Sequence, residues 1–431
     1  MTGSSHYRWY VLGVLALVYA FSFMDRQILS ILIEDIRAEF ALSDLQLGLL
    51  SGIAFALFYA TLGIPIAKLA DRYNRVTIVS IAVAVWSGMT ALCGAAGSFW
   101  QLFMARVGVG VGEAGGSPPS HSIISDYFNR EERSFAMSIL AMGGPLGMLF
   151  GLIMGGFVAE YYGWRWAFVC AGVPGLALAL LVKFSVREPV RGAMDEVVQE
   201  VEPRQPSESM LEAFRHLWAN KAYRYVNLAH MLGTFVGYGF TVWKPALYLR
   251  QFDLSQSEVG MIVGITSAVF GSLGLLSGGL VADRWAKKDP RGPALLGCIA
   301  VLLATPVYLV ALWSNDWIVT TLCIGFGLFM FAHSHAPSLA IVQTVVEPHR
   351  RAQAAAYVFF LANILGLGLG PVLVGSVSDA FAAEYAHRSL NVALGFATLV
   401  LLGASVMYWQ TARALGALSY GNKEDRAYAE P

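Results

Sequence analysis

Charge is scarce in this chain. Asp, Glu, Lys and Arg make up 13% of its 431 residues, against roughly 25% in soluble domains, while 56% of the residues are hydrophobic. A sequence so poor in charge cannot clothe a large core in a solvated surface, which points to lipid. An excess of either sign is also missing, because 29 basic residues balance 29 acidic ones. That balance argues against a nucleic-acid binder and against an acidic tail for a cationic partner. Only four cysteines occur, Cys93, Cys170, Cys298 and Cys323, each inside an apolar run and none at CxxC or Cys-His spacing. They read as packing residues, and no metal is expected. There is no Asn-x-Ser/Thr sequon, which agrees with a prokaryotic source. With no Ser-His-Asp arrangement or phosphate loop in a supporting context, neither an enzyme nor a cofactor is expected.

What stands in place of charge is a series of long apolar runs. Crossing a ~30 Å hydrocarbon core takes about 20 helical residues. Runs of that length lie near 10–33, 46–69, 76–97, 100–127, 134–160, 164–186, 223–249, 258–281, 293–313, 317–345, 353–379 and 388–412. The sequence therefore predicts an all-α membrane protein with twelve transmembrane helices. The first run is longer than a signal-peptide core and holds Asp25 and Arg26, so it is expected to remain as a span. Basic residues collect in the even-to-odd loops, among them Lys68, Arg72, Arg75, Arg130, Arg133, Arg187, Arg191, Arg284, Lys287, Lys288, Arg350 and Arg351. The opposite loops carry little beyond Arg37, Arg165, Arg250 and Arg388. By the positive-inside rule both termini are cytoplasmic. The expected location is the plasma membrane, or the inner membrane if the source is bacterial.

The chain also repeats itself. Phe40, Leu42, Gly48, Gly52, Asp71 and Arg72 map without a gap onto Phe252, Leu254, Gly260, Gly264, Asp283 and Arg284. Such a match implies two related halves, each with a charged turn at the end of an apolar segment. The expected organisation is an N-terminal six-helix bundle over 1–186, a cytoplasmic linker over 187–222, a C-terminal six-helix bundle over 223–412 and a cytoplasmic tail over 413–431. Within the linker, Met210 to Trp218 has apolar residues at helical spacing, the pattern of a short amphipathic helix on the membrane face.

A few charges sit where charge is costly. Asp25 and Arg26 fall near the middle of the first run, where an ionised side chain costs a few kcal/mol on insertion scales. Neighbours on a helix point about 100° apart, so each must find its own partner on another helix or in a water-filled cavity. Asp25 is a candidate proton site, because a low dielectric penalises a carboxylate's charge unless a cation compensates. Arg26 suits a phosphate or carboxylate held in a fork. Arg106 and Glu113 are two turns apart, roughly 10 Å along one helix face. That spacing leaves room for Asp25, Arg26 or a head group to bridge them. The expectation is that Asp25 and Glu113 exchange a proton against an anionic head group held by Arg26 and Arg106. The plainer alternative is a charge network that ties span one to span four.

Several of these residues together resemble a known family. Ala67-Lys68-Leu69-Ala70-Asp71-Arg72-Tyr73-Asn74-Arg75 lies between spans two and three and is echoed by Gly279 to Arg284; Arg106 lies in span four, and Gly143, Gly144, Pro145, Gly147, Gly151 and Gly155 in span five. With twelve spans and a duplicated half, this is similar to the major facilitator superfamily. Met24-Asp25-Arg26-Gln27, the glycine-rich run from Arg106 to Ala114 and Gly163 to Phe168 resemble its Spinster branch. The resemblance implies the major facilitator fold of two pseudo-symmetric six-helix bundles. It implies alternating access, and a conformational latch made by Asp71, Arg72, Asp283 and Arg284, with Asp71 against the start of span eleven. It also implies carriage of lysolipids or sphingolipid phosphates with proton coupling.

The second half is poor in such charges. Spans eight to twelve hold no Asp, Glu, Lys or Arg in their central parts, and His230, Lys244, His333 and His335 are the main ionisable residues of the half. One charged and one greasy half would suit an amphiphile such as a lysophospholipid or a sphingosine-1-phosphate-like lipid. The expected tail contacts are Phe235, Tyr238, Phe270, Phe331 and Phe360. The competing expectation is a proton-coupled carrier of a small polar organic anion, for which the same arginines and carboxylates would serve. A transport-inactive receptor on the same fold is the third. The expected partners are thus a lipid or amphiphilic substrate, protons and membrane lipids, without nucleic acid, and the protein is expected to be a monomer.

Overall fold

The computed structural model describes residues 5–192, 194, 210–347 and 350–427. The stretch 195–209 of the expected linker and the last residues of the expected tail, 428–431, lie outside the described residues. Among the described residues the secondary structure is helical and no strand occurs. The helices are α1 (Ser5–Phe40), α2 (Asp44–Ser51), α3 (Ile53–Arg72), α4 (Arg75–Cys93), α5 (Phe99–Glu113), α6 (Ser117–Tyr127), α7 (Arg130–Tyr162), α8 (Trp164–Ser185), α9 (Met210–Ala219) and α10 (Lys221–Gln251). They continue as α11 (Gln256–Ala286), α12 (Gly292–Trp313), α13 (Trp317–Ala332), α14 (His335–Val345), α15 (Arg351–Leu361), a π-helical turn (Ala362–Gly368), α16 (Leu369–Ala380), α17 (Ala382–Tyr385) and α18 (Ser389–Ala427).

These elements fall on the twelve apolar runs, with four runs interrupted. The second run breaks at Gly52 into α2 and α3, the fourth after Glu113 into α5 and α6, the tenth at His333 and Ser334 into α13 and α14, and the eleventh carries the π turn. Ten of the helical segments among the described residues are long and apolar enough to cross a membrane. The α5–α6 pair and α10 fall outside that set. The first holds Arg106, Glu113 and the polar stretch Ser117 to Ser122, and the second holds Lys221, Arg224, His230, Lys244 and Arg250. The last helix runs on to Ala427, well past the end of its apolar run.

Helix ends follow local chemistry. Ser43 and Gln46 form a reciprocal capping box at the start of α2, and Asn74, Ser98, Asn129 and Asp316 cap α4, α5, α7 and α13 through their side chains, each satisfying an otherwise orphaned N–H. Gly163, at φ 88°, makes the one-residue turn between α7 and α8, a conformation that penalises any side chain.

The chain divides into two compact units. Unit 1 comprises 1–200, 241–268 and 371–379, and unit 2 comprises 201–240, 269–370 and 380–431. Within unit 1, α1 lies on α7 along a glycine stripe. A Cβ on Gly143 would come within 2.6 Å of the Ala16 carbonyl and one on Gly151 within 2.9 Å of the Met24 carbonyl, so only glycine lets the two backbones approach this closely. In unit 2, α9 buries Ala213 and Leu217, and its Phe214 stacks on Trp218 and meets the edge of Tyr357.

The repeat reappears inside unit 1 as two matching helix junctions. At the first, α2 meets α16: the Asp379 carboxylate accepts from the Asp44 and Leu45 N–H groups at 2.9 and 2.8 Å, and Gly48 and Gly375 admit the backbones of Pro371 and Asp44. At the second, α11 meets α7: Glu160 accepts from the Ser257 N–H at 2.8 Å, and Gly260 and Gly156 admit the backbones of Leu152 and Gln256. Each junction places a carboxylate at a helix N-terminus, where the unpaired N–H groups and the macrodipole favour it.

Candidate functional site

The intramembrane charges come together in unit 1, around the second half of α1. Three close backbone approaches make this possible. A Cβ on Gly110 would sit 2.5 Å from the Phe55 carbonyl, one on Gly112 would sit 2.6 Å from the Trp86 nitrogen, and one on Gly108 would strike the Met89 side chain. Small residues on α5 therefore let it nest against α3 and α4, carrying Arg106 and Glu113 inward. The break after Glu113 costs little, because Pro118 and Pro119 stand at the first positions of α6, where a missing N–H is no loss. They start a new helix there and do not bend a continuous one.

Two separate bonded groups result. Glu113 Oε2 accepts from Arg26 Nε at 2.6 Å and from Ser22 Oγ at 2.7 Å. The Arg26 guanidinium also lies over the rings of Tyr59, Phe55 and Phe23, at 4.5, 4.9 and 5.0 Å from their centroids. Asp25, fully buried, accepts from Thr90 Oγ1 at 3.0 Å, and Arg106 Nη1 donates to the Asp25 backbone carbonyl at 3.4 Å. As the helical geometry requires, Asp25 and Arg26 look in different directions and are bonded separately.

The four residues are not equivalent. Arg106 is 1% exposed and reaches across to the backbone of α1, a position that ties two helices together. The Arg26 side chain is 16% exposed. It is the more exposed arginine of the two. Glu113 Oε1, Asp25 Oδ1 and Arg106 Nε are buried without a hydrogen-bond partner among the described residues. Leaving such atoms unpaired costs about 1–3 kcal/mol each, so the site holds unused bonding capacity of both signs.

The other residues singled out from sequence lie elsewhere. Asp71 and Arg72 end α3 in unit 1 with exposed side chains, and Arg191 donates to the backbone carbonyls of Ala70, Asp71 and Tyr73. Asp283 and Arg284 are exposed at the end of α11 in unit 2. Of the aromatic candidates, all in unit 2, Phe331 packs against Gly233, Gly237 and the edge of His335, and Phe270 covers Gly325. Phe235 places its carbonyl against Gly370, Tyr238 is half-buried and Phe360 is 36% exposed.

Sequence reasoning missed two ionic clusters in unit 1. Arg250 Nη1 and Nη2 donate to the Asp44 carboxylate at 2.8 and 2.7 Å and its Nε and Nη2 to Glu34 at 2.9 and 2.7 Å, while Ser378 Oγ donates to Asp44 at 2.6 Å. At the other end, Arg75 bonds Asp126 at 2.5 Å and Glu188 at 2.6 Å, and Glu188 also accepts from the Val76 N–H at 3.0 Å. The partners of each cluster are far apart in sequence, and nothing in the runs themselves pairs them.

A domain model for the major facilitator superfamily matches residues 15–371. The chain belongs to that superfamily. It is 33% identical over 407 residues to an MFS-type efflux pump of Mycolicibacterium smegmatis, covering 93% of this chain and 92% of that one. It is 27% identical over 407 residues to the sphingosine-1-phosphate transporter SPNS2 of Danio rerio, covering 90% and 80%. A crystal structure of a bacterial homologue of the human lysosomal transporter Spinster, inward-facing and unoccupied, superposes with a TM-score of 0.87 at 30% identity, covering 96% of this chain and 98% of that one. This superfamily member is thus an all-helical, Spinster-like membrane transporter and not an enzyme.

Proposed function

We propose that this transporter is a secondary carrier that moves an anionic amphiphile, a lysophospholipid or a sphingosine-1-phosphate-like lipid, by alternating access with proton coupling. One observation carries the reading. The most approachable cation among the intramembrane charges, Arg26, is held by a buried carboxylate, Glu113, and framed by three aromatic rings. A guanidinium can fork to a phosphate or carboxylate, and the rings beside it favour the apolar part of the same molecule. Glu113 competes with the substrate for Arg26. Protonating Glu113 removes that competitor, and an arriving anion takes its place, which links a proton to a head group. Asp25, on the far side of the same turn and bonded by Thr90, is the second proton site. Arg106 keeps α5 against α1 while this exchange occurs. The relatives named for sphingosine-1-phosphate transport and for Spinster support the lipid class. We place the protein in the plasma membrane, or in the inner membrane of a bacterial source, as a monomer with both termini cytoplasmic. Asp71, Arg72, Asp283 and Arg284 are proposed as the latch of the conformational cycle.

The test is uptake of a labelled lysophospholipid into proteoliposomes of the purified protein, with and without an imposed proton gradient, beside a small organic anion. Gradient-dependent lipid uptake is the expected result. Movement of the small anion alone would replace the amphiphile with a polar organic anion as substrate.

A further inference from the structure

Lys244, on α10 within unit 1, is 7% exposed. Its Nζ donates to Ser267 Oγ at 2.6 Å, and no carboxylate pairs with it among the described residues. Two other cations of unit 1 are paired with carboxylates, Arg75 with Asp126 and Glu188 and Arg250 with Glu34 and Asp44, while Arg106 donates to a backbone carbonyl. An ammonium carries three protons and one serine hydroxyl takes one of them. A long flexible stem would let a lysine carry its charge out to the membrane surface, yet this one keeps it inside. An ionisable side chain held unpaired within a span is a candidate functional group by that fact alone.

Its surroundings give it a use. Ser267 is only partly buried, so the ammonium can be approached from the serine side. Gln27, the residue after Arg26, donates from Nε2 to the Thr241 carbonyl at 3.2 Å, which fixes α10 beside the Arg26 turn of α1. Lys244 follows Thr241 by three residues, about 4.5 Å along the helix.

We propose that Lys244 and Ser267 form a second anion-binding subsite in unit 1, which takes phosphate or carboxylate oxygens of the substrate head group beyond the Arg26 position. The inference rests on the reading that the substrate is an anionic amphiphile. The anion supplies the missing counter-charge to the ammonium, and Ser267 orients Nζ until it arrives.

The test is calorimetric binding to the full-length protein in phosphatidylcholine nanodiscs, with two probes, oleoyl lysophosphatidate and inorganic phosphate. Lys244→Met keeps the stem and removes the charge, and is expected to raise the Kd for lysophosphatidate about 10- to 100-fold, the loss of one charge-assisted contact. Lys244→Arg is expected to retain most of the binding. Ser267→Asp gives the ammonium an internal partner, and is expected to weaken lysophosphatidate binding about tenfold while raising thermal stability. It supplies an independent measurement should Lys244→Met fail to fold. Lysophosphatidate binding unchanged in Lys244→Met or in Ser267→Asp overturns the subsite and leaves the amphiphile reading standing. Binding of phosphate alone, lost in Lys244→Met, upholds the subsite and overturns the amphiphile reading. A wild-type protein that binds neither probe overturns the subsite.

Discussion

The same broken helix occurs twice in this transporter, once with charges at the break and once without. In unit 1, α5 and α6 are capped by Ser98, interrupted after Glu113 and restarted at Ser117; in unit 2, α13 and α14 are capped by Asp316, interrupted at His333 and restarted at His335. Both second segments carry a proline at the third position, Pro119 and Pro337, followed by a serine, Ser120 and Ser338, whose hydroxyl donates to the carbonyl four residues back at 2.7 and 2.6 Å. Counting from the caps, Arg106 corresponds to Ile324 and Glu113 to Phe331. Counting from Phe40 and Phe252 in the preceding repeat, Asp25 corresponds to Gly237 and Arg26 to Tyr238. Every member of the charged set thus has an uncharged counterpart, and the Phe331 ring packs on Gly237, the counterpart of Asp25. The broken helix is scaffold common to both halves. The charges have been placed on one copy only, as features are grafted onto a common scaffold.

The sharpest way to break this comparison is Arg26→Ala. It leaves the buried Glu113 carboxylate without its cation, a change worth about 3–5 kcal/mol, and lysophospholipid uptake into proteoliposomes is expected to fall to background while the protein still elutes as a folded species. Uptake within twofold of wild type would separate the charged set from substrate handling. Next in size is Phe331→Glu, which puts a carboxylate at the Glu113 register of unit 2 where no arginine waits. It is expected to cost about 2.5–3.5 kcal/mol, read as a lower thermal midpoint in detergent. A variant as stable as wild type would show the two breaks to be chemically interchangeable.

Glu113→Gln keeps an acceptor for Ser22 and Arg26 and removes the titration. The pH dependence of uptake is expected to flatten to less than about twofold across the range in which wild type responds, and an unchanged profile would assign the coupled proton to Asp25. The smallest effect is expected from Asp71→Ala, whose exposed side chain lies away from the charged set. It should change the balance of inward- and outward-facing states, followed by distance measurements between spin labels, and leave lysolipid affinity unchanged. An altered preference between lipids would count against a latch.

Much of the site was legible without coordinates because burying charge in lipid is so costly that Asp25, Arg26, Arg106 and Glu113 stand out from any apolar run. Their pairing was not legible. Sequence left Asp25, Arg26 or a head group as possible bridges between Arg106 and Glu113, and the structure pairs Glu113 with Arg26 and sends Arg106 to the backbone of α1. The clusters Arg250–Asp44–Glu34 and Arg75–Asp126–Glu188 were invisible for a related reason. Each charge lies near a run's end, where water would suffice for it, and only tertiary packing shows that it is bonded and that Asp44, Arg75 and Asp126 are buried.

The sequence by itself determined the number of spans and the duplication, because apolar length and the spacing of Gly48, Asp71 and their repeats are local properties that lipid and backbone geometry read directly. The tertiary structure decided which charge answers which, where helices break, and that Lys244 is buried with the Ser267 hydroxyl beside it. Those outcomes depend on which residues from distant spans meet, and that is set by glycines that let particular backbones touch, whose partners no single run of sequence contains.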